Sequence, residues 1–169
     1  RSGKKLHAGQ AQLVEIHLAT LEIAPSDGPV DPVPLFGGLS DIIVEIGYGG
    51  GEHLAREALT HPATGFIGCE VFSGGIAKMV QQIEAERIAN VRLFTDDALK
   101  LLLELPDASL AGVYLLYPDP WPKTRHHKRR FVSAATLEEL ARVIRPGGWF
   151  RFATDIEDYA AWTLAHILR

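Results

Sequence analysis

The feature that most constrains the fold of this chain is an alternation of short apolar runs with helix-like segments, repeated five times from residue 42 onward. The runs 42–46, 65–70, 91–94, 110–117 and 149–153 read as strands. The segments 52–60, 74–87, 97–104, 133–144 and 155–169 read as helices. Strands separated by helices predict an α/β domain, with a mostly parallel sheet and helices on both faces. The run 110–117 is apolar throughout, as expected of a strand covered on both sides. Such sheets bind ligands at the carboxyl ends of their strands, where strand order reverses. Chemistry is therefore expected in residues 45–52, 69–73, 95–98, 117–130 and 153–157, and these windows hold most of the unusual residues of the chain.

Residues 1–40 differ in character. A basic arm containing Arg1, Lys4 and Lys5 leads into a helix-like segment over 11–21, and a proline- and glycine-rich connector follows over 25–40. The expected division is thus an arm, helix and connector over 1–40, and one ligand-binding domain over 41–169. No run approaches the roughly 20 apolar residues of a membrane span, and the polar start of the chain does not resemble a signal peptide. The single cysteine, Cys69, excludes an internal disulfide and a multi-cysteine metal site. These readings make the cytoplasm the expected compartment.

Glu45-Ile46-Gly47-Tyr48-Gly49-Gly50-Gly51-Glu52 forms a glycine-rich turn after the first strand. Glycines let backbone bend tightly and approach a ligand closely. The dinucleotide pattern G-x-G-x-x-G nearly fits, but Glu52 stands at its third glycine. Acid on both sides of the turn suits a cationic ligand better than a pyrophosphate. S-adenosylmethionine, with a sulfonium, an ammonium and no phosphate, meets that demand. Glu70 ends the second strand, 23 residues after Gly47, where an acid accepts hydrogen bonds from ribose hydroxyls. Asp97, before Ala98, follows the third strand and either accepts from an adenine amino group or caps the next helix.

After the fourth strand comes Tyr117-Pro118-Asp119-Pro120-Trp121-Pro122-Lys123. Three prolines in this stretch set their own φ angles and restrict their predecessors, so the loop is rigid. It holds one acid, which can accept from a base amino group, and one aromatic face on which a base can stack. Tyr48 is a second candidate for stacking. The string Arg125-His126-His127-Lys128-Arg129-Arg130 follows at once. The net charge of the chain is −4, yet Lys123–Arg130 carries five cations and no acid. A concentrated basic segment on an acidic body suits the holding of a polyanion at one place, with Arg and Lys on phosphates. The adjacent histidines lack the nearby acid or thiol that would make a metal site. Asp155 ends the fifth strand and either caps the last helix or accepts from a base edge.

These motifs together, from Glu45-Ile46-Gly47-x-Gly through Pro118-Asp119-Pro120-Trp121-Pro122-Lys123 to Thr154-Asp155, resemble the bacterial tRNA (guanine-N7-)-methyltransferases. The likeness covers about residues 42–169, and the proline-tryptophan-basic stretch is its most specific part. The resemblance implies a Rossmann-like class I methyltransferase fold, S-adenosylmethionine as donor, and a variable-loop guanine of tRNA as target. It implies cofactor contacts from Glu45, Gly47, Gly49, Glu70, Asp97, Ala98 and Asp119. Lys123 and Asp155 would contact the substrate base, and Arg125, His126, His127, Lys128, Arg129 and Arg130 would touch RNA. Asp119 carries the catalytic assignment, which the sequence does not distinguish from pure positioning. The resemblance also implies two further strands and a Thr-x-x-Glu motif beyond Arg169. The alternative reading is methylation of an exocyclic amine of a base, a reaction whose enzymes carry a similar loop after the same strand.

Overall fold

The computed structural model describes residues 8–24 and 28–169. The expected basic arm (Arg1, Lys4, Lys5) and residues 25–27 of the connector lie outside the described residues. The strands are β1 (Ile42–Ile46), β2 (Gly65–Cys69), β3 (Val91–Phe94), β4 (Leu110–Leu116) and β5 (Ile144–Ala153). They form one sheet in the order β3-β2-β1-β4-β5, and every pair is parallel. The helices are α1 (Ala8–Leu21), α2 (Glu52–Thr60), α3 (Ser73–Glu86), α4 (Ala98–Glu104), α5 (Ala134–Val143) and α6 (Glu157–Ile167). The expected α/β architecture is the one observed.

Alternation along each strand distributes side chains to two separate cores. Ile42, Val44 and Ile46 of β1 pack on one side with Leu101, Leu102, Leu140, Val143 and Tyr159 from α4, α5 and α6. Ile43 joins the other core, where Leu54, Ile76, Met79 and Val80 come from α2 and α3, and Val14 from α1. Local sequence sets the helix ends. Asp97 caps α4 by accepting the Leu99 N–H at 2.9 Å, and Ser133 and Thr136 form a reciprocal capping box on α5.

Two boundaries differ from expectation for clear reasons. The fifth strand begins at Ile144, not Trp149, so Pro146-Gly147-Gly148 lies inside it and does not simply terminate the preceding helix. β5 is the edge of the sheet, where a proline breaks no ladder on its open side. Its register with β4 shifts between Leu110 and Gly112, which absorbs the irregular triplet. The last helix starts at Glu157 with Ile156 at its cap, and Thr154 Oγ1 accepts the Ile156 N–H at 3.1 Å. Asp155 therefore does not cap α6, and that alternative is closed.

Chain order reverses at the centre of the sheet. From β1 the chain moves outward through β2 to β3, then crosses back to β4 on the opposite side. The switch point falls between the carboxyl ends of β1 and β4, which places the crevice there. The far edge at β3 meets the segment after α1, since Glu22 bridges Leu93 and the Ile23 N–H donates to the Leu93 carbonyl at 2.8 Å. Among the described residues, no helix is long and apolar enough to cross a membrane.

Candidate active site

A cavity of about 560 Å³ opens at the carboxyl ends of β1 to β4. Gly47, at the start of the glycine turn, lines it. Gly47 and Gly49 both take left-handed φ values, 69° and 59°, a conformation that a side chain at either position would strain. Glu70 fixes this turn from the neighbouring strand. Its Oε2 accepts the Gly49 N–H at 2.9 Å, while Oε1 accepts the Val71 and Phe72 N–H groups at 2.8 and 3.1 Å. The Glu70 side chain is buried, so these charge-assisted bonds organise the turn and the start of α3 together. Gly75 completes the packing, because a Cβ there would stand 2.3 Å from the Gly49 carbonyl oxygen.

Of the expected cofactor residues, the cavity brings together Gly47, Glu70, Asp97, Ala98 and Asp119. Gly49 is not in the lining but is bonded to Glu70, which is. Glu45 is not in the lining either. It lies on the α2 side of the sheet, 3% exposed, and its Oε2 accepts from His53 Nδ1 at 2.7 Å. Burial raises its carboxyl above the ordinary value, with the His53 hydrogen bond opposing the rise. The reading of Glu45 as negative charge spread around the turn is thus revised: its carboxyl is turned inward onto His53. His53 in turn packs edge-on against Tyr114, with ring centroids 4.8 Å apart. Tyr48 is also buried, so it offers no face for stacking.

The loop between β4 and the basic string has a demanding backbone. Tyr117 and Trp121 both adopt left-handed φ values, 50° and 44°, in residues that rarely tolerate them. Each such residue costs on the order of 1–3 kcal/mol unless its surroundings impose it. The result brings Asp119, exposed, and Trp121, half-buried, to the wall of the cavity that Glu70 and Asp97 also line. Arg129 lies over the Trp121 ring, 5.0 Å from its centroid.

The basic string forms a 3₁₀ turn over Thr124–Arg129. Lys123, Arg125, Lys128 and Arg129 are exposed, and Lys128 and Arg129 reach the cavity rim. His126 packs edge-on near Trp121, and His127 against Trp162. Arg130 departs from the string: its side chain is buried and bonded to Pro120 and Asp158. Lys123, Arg125, His126, His127 and the exposed Asp155 do not line the cavity. Among the described residues, no group of three or more His, Cys, Asp or Glu is placed to hold a metal ion.

Several contributors had no clear sequence signal. Val71, Phe131, Ser133 and Thr136 line the cavity, though only the Ser-x-x-Thr cap spacing marks the last two. His53 and Asp158 act through partners that are distant or of opposite character, so neither belongs to a recognisable string.

Comparison with known structures identifies the architecture. The chain is similar to the 16S rRNA methyltransferase KamB, at 19% identity with a TM-score of 0.58, over 82% of this chain and 62% of that one. It is also similar to a geranyl diphosphate methyltransferase, at 16% identity with a TM-score of 0.53, over 94% and 52% of the two chains. At such identities the likeness concerns the fold, which with its glycine turn and strand-end acids is that of a Rossmann-like class I methyltransferase. A family profile described as "Putative methyltransferase" matches residues 40–169. A tRNA (guanine-N(7)-)-methyltransferase of Nitrobacter hamburgensis is 56% identical over all of this chain and 67% of its own length. Its counterpart in Bradyrhizobium diazoefficiens is 53% identical over all of this chain and 72% of its own. The chain belongs to the tRNA (guanine-N7-)-methyltransferase family, and spans about two thirds of the length of these relatives.

Proposed function

We propose that this chain transfers the methyl group of S-adenosylmethionine to N7 of a guanine in the variable loop of tRNA. The observation that carries this reading is a single cavity that joins Gly47, Glu70 and Asp97 to Asp119, Trp121 and the basic rim. The donor set suits the cofactor: carboxylates surround the crevice, and the volume lies in the range of small-molecule sites. When bound, S-adenosylmethionine supplies an electrophilic methyl on a positively charged sulfur. Glu70 retains acceptor capacity on Oε2 for ribose hydroxyls, beyond its bond to Gly49. Asp97 uses Oδ1 for its cap and has Oδ2 for an adenine amino group. Capping and ligand binding thus coexist in one side chain.

Guanine N7 carries an in-plane lone pair, so no proton leaves before attack and no strong general base is required. The work of the chain is to orient the base and to exclude competing geometry. Methylation leaves positive charge on the purine, and in this reading the Asp119 carboxylate stabilises it as it develops. Trp121 offers a face for the displaced base. Lys123 and Asp155 flank it in this reading, and Arg125, His126, His127, Lys128 and Arg129 meet the RNA backbone. A tRNA substrate places this work in the cytoplasm.

The test is transfer of labelled methyl from S-adenosylmethionine to unfractionated tRNA, followed by nucleoside analysis. Labelled 7-methylguanosine is the expected product. Label on an exocyclic base amine would support the alternative reaction and overturn the N7 assignment.

A further inference from the structure

The reactive loop holds two left-handed non-glycine residues and three prolines, so its shape must be imposed from outside. One restraint is at its start, where the Tyr117 N–H donates to the Ala153 carbonyl at 2.8 Å. The other is Arg130. Its Nε donates to the Pro120 carbonyl at 2.8 Å, in the residue between Asp119 and Trp121. Its Nη2 donates to the Asp158 carboxylate at the start of α6. The guanidinium lies 4.8 Å from the Tyr159 ring centroid and 5.2 Å from that of Trp162. Its side chain is 0% exposed. Trp162 is itself tied down, since its Nε1 donates to the Val132 carbonyl at 2.8 Å.

We infer that Arg130, although it ends the basic string, is a positioning residue that locks the Asp119 loop to α6. This inference rests on the reading of that loop as the reactive one. A phosphate contact would require the guanidinium to leave two aromatic faces, a carbonyl and a carboxylate at once. Burial of a charge is tolerated when it is paired and hydrogen-bonded; the socket does this for Nε and Nη2, while Nη1 is buried without a partner where Arg130 borders the cavity. The role also demands arginine, because a planar fork reaches Pro120 and Asp158 in different directions and a lysine does not. The exposed cations Lys123, Arg125, Lys128 and Arg129, by contrast, have no such socket to leave.

Three readouts test the inference on Asp158→Asn, Arg130→Met and Arg129→Met chains. The first is tryptic cleavage after Lys123 and Arg125, followed by mass spectrometry, which needs no activity. Asp158→Asn and Arg130→Met are expected to speed it several-fold, and Arg129→Met to leave it unchanged. The second is tRNA affinity across a salt series. Arg129→Met is expected to weaken binding and to flatten the slope of log Kd against log salt by about one. Asp158→Asn and Arg130→Met are expected to leave that slope unaltered. The third is turnover, where Asp158→Asn is expected to lower kcat at least ten-fold with KM for tRNA within two-fold. Asp158 is exposed at a helix start, so its amide variant should fold even if Arg130→Met does not. A flatter salt slope in Arg130→Met with unchanged cleavage in Asp158→Asn would overturn the inference. If the unaltered chain bound no tRNA and transferred no methyl, the proposed function would fail, and the cleavage comparison would still decide whether Arg130 locks the loop.

Discussion

The Glu70 carboxylate accepts the backbone N–H of Gly49 at 2.9 Å, so the end of β2 braces the turn that follows β1. One acid thereby shapes the glycine turn and remains at the cavity wall. Glu70→Ala leaves three backbone donors without this acceptor, at about 1–3 kcal/mol for each that stays buried. We expect a lower unfolding midpoint and at least a ten-fold loss of S-adenosylmethionine affinity, read by calorimetry. An unchanged affinity would remove Glu70 from the cofactor site.

Gly75→Ala should show a reversal of the usual sign. Alanine in a helix ordinarily adds up to about 1 kcal/mol relative to glycine. Here the new methyl meets the Gly49 carbonyl oxygen, which is backbone and cannot swing away. Overpacking of this kind costs about 1–3 kcal/mol. Denaturant melts should report destabilisation, accompanied by weaker cofactor binding.

Asp119→Asn preserves size and removes charge at an exposed position. Folding should stay close to that of the unaltered chain, while kcat falls by about 100- to 1000-fold, the usual scale for a lost electrostatic stabiliser. Single-turnover assays with bound tRNA separate this from weaker binding. Full turnover would reduce Asp119 to a bystander.

Glu45 predicts a pH dependence of stability. Its folded carboxyl is raised from the model-peptide value of 4.5, chiefly by burial. The folded chain therefore holds this proton more tightly than the unfolded chain. Its contribution is fully present below 4.5 and is lost as pH rises through the raised folded value. Glu45→Gln, which still offers His53 an acceptor, should flatten that stretch of the stability–pH curve. An identical curve in the variant would assign the dependence elsewhere.

The architecture was legible because hydrophobic runs and helical segments alternate cleanly from Ile42 onward, and the strand-end windows followed from the topology alone. Gly47, Glu70, Asp97 and Asp119 fell in those windows and share one cavity. What escaped was whatever depended on partners far along the chain. Nothing local shows that Arg130 turns inward while Arg129 stays exposed, since the socket is built 28 residues later by Asp158 and its neighbours. The inward turn of Glu45 depends likewise on His53, the second residue of α2. Pro146-Gly147-Gly148 misled for a different reason. A helix stop and an irregular edge strand use the same residues, and only the position of β5 in the sheet separates them.

The two margins of the sheet are not equivalent. At β3 the segment carrying Glu22 and Ile23 already occupies the outer hydrogen-bonding side of Leu93. At β5, among the described residues, Ile144 and residues 149–153 pair with β4 on one flank only. The sheet is therefore directional as a template: an added strand, from whatever source, has ladder groups to pair with at β5 and meets a prior occupant at β3.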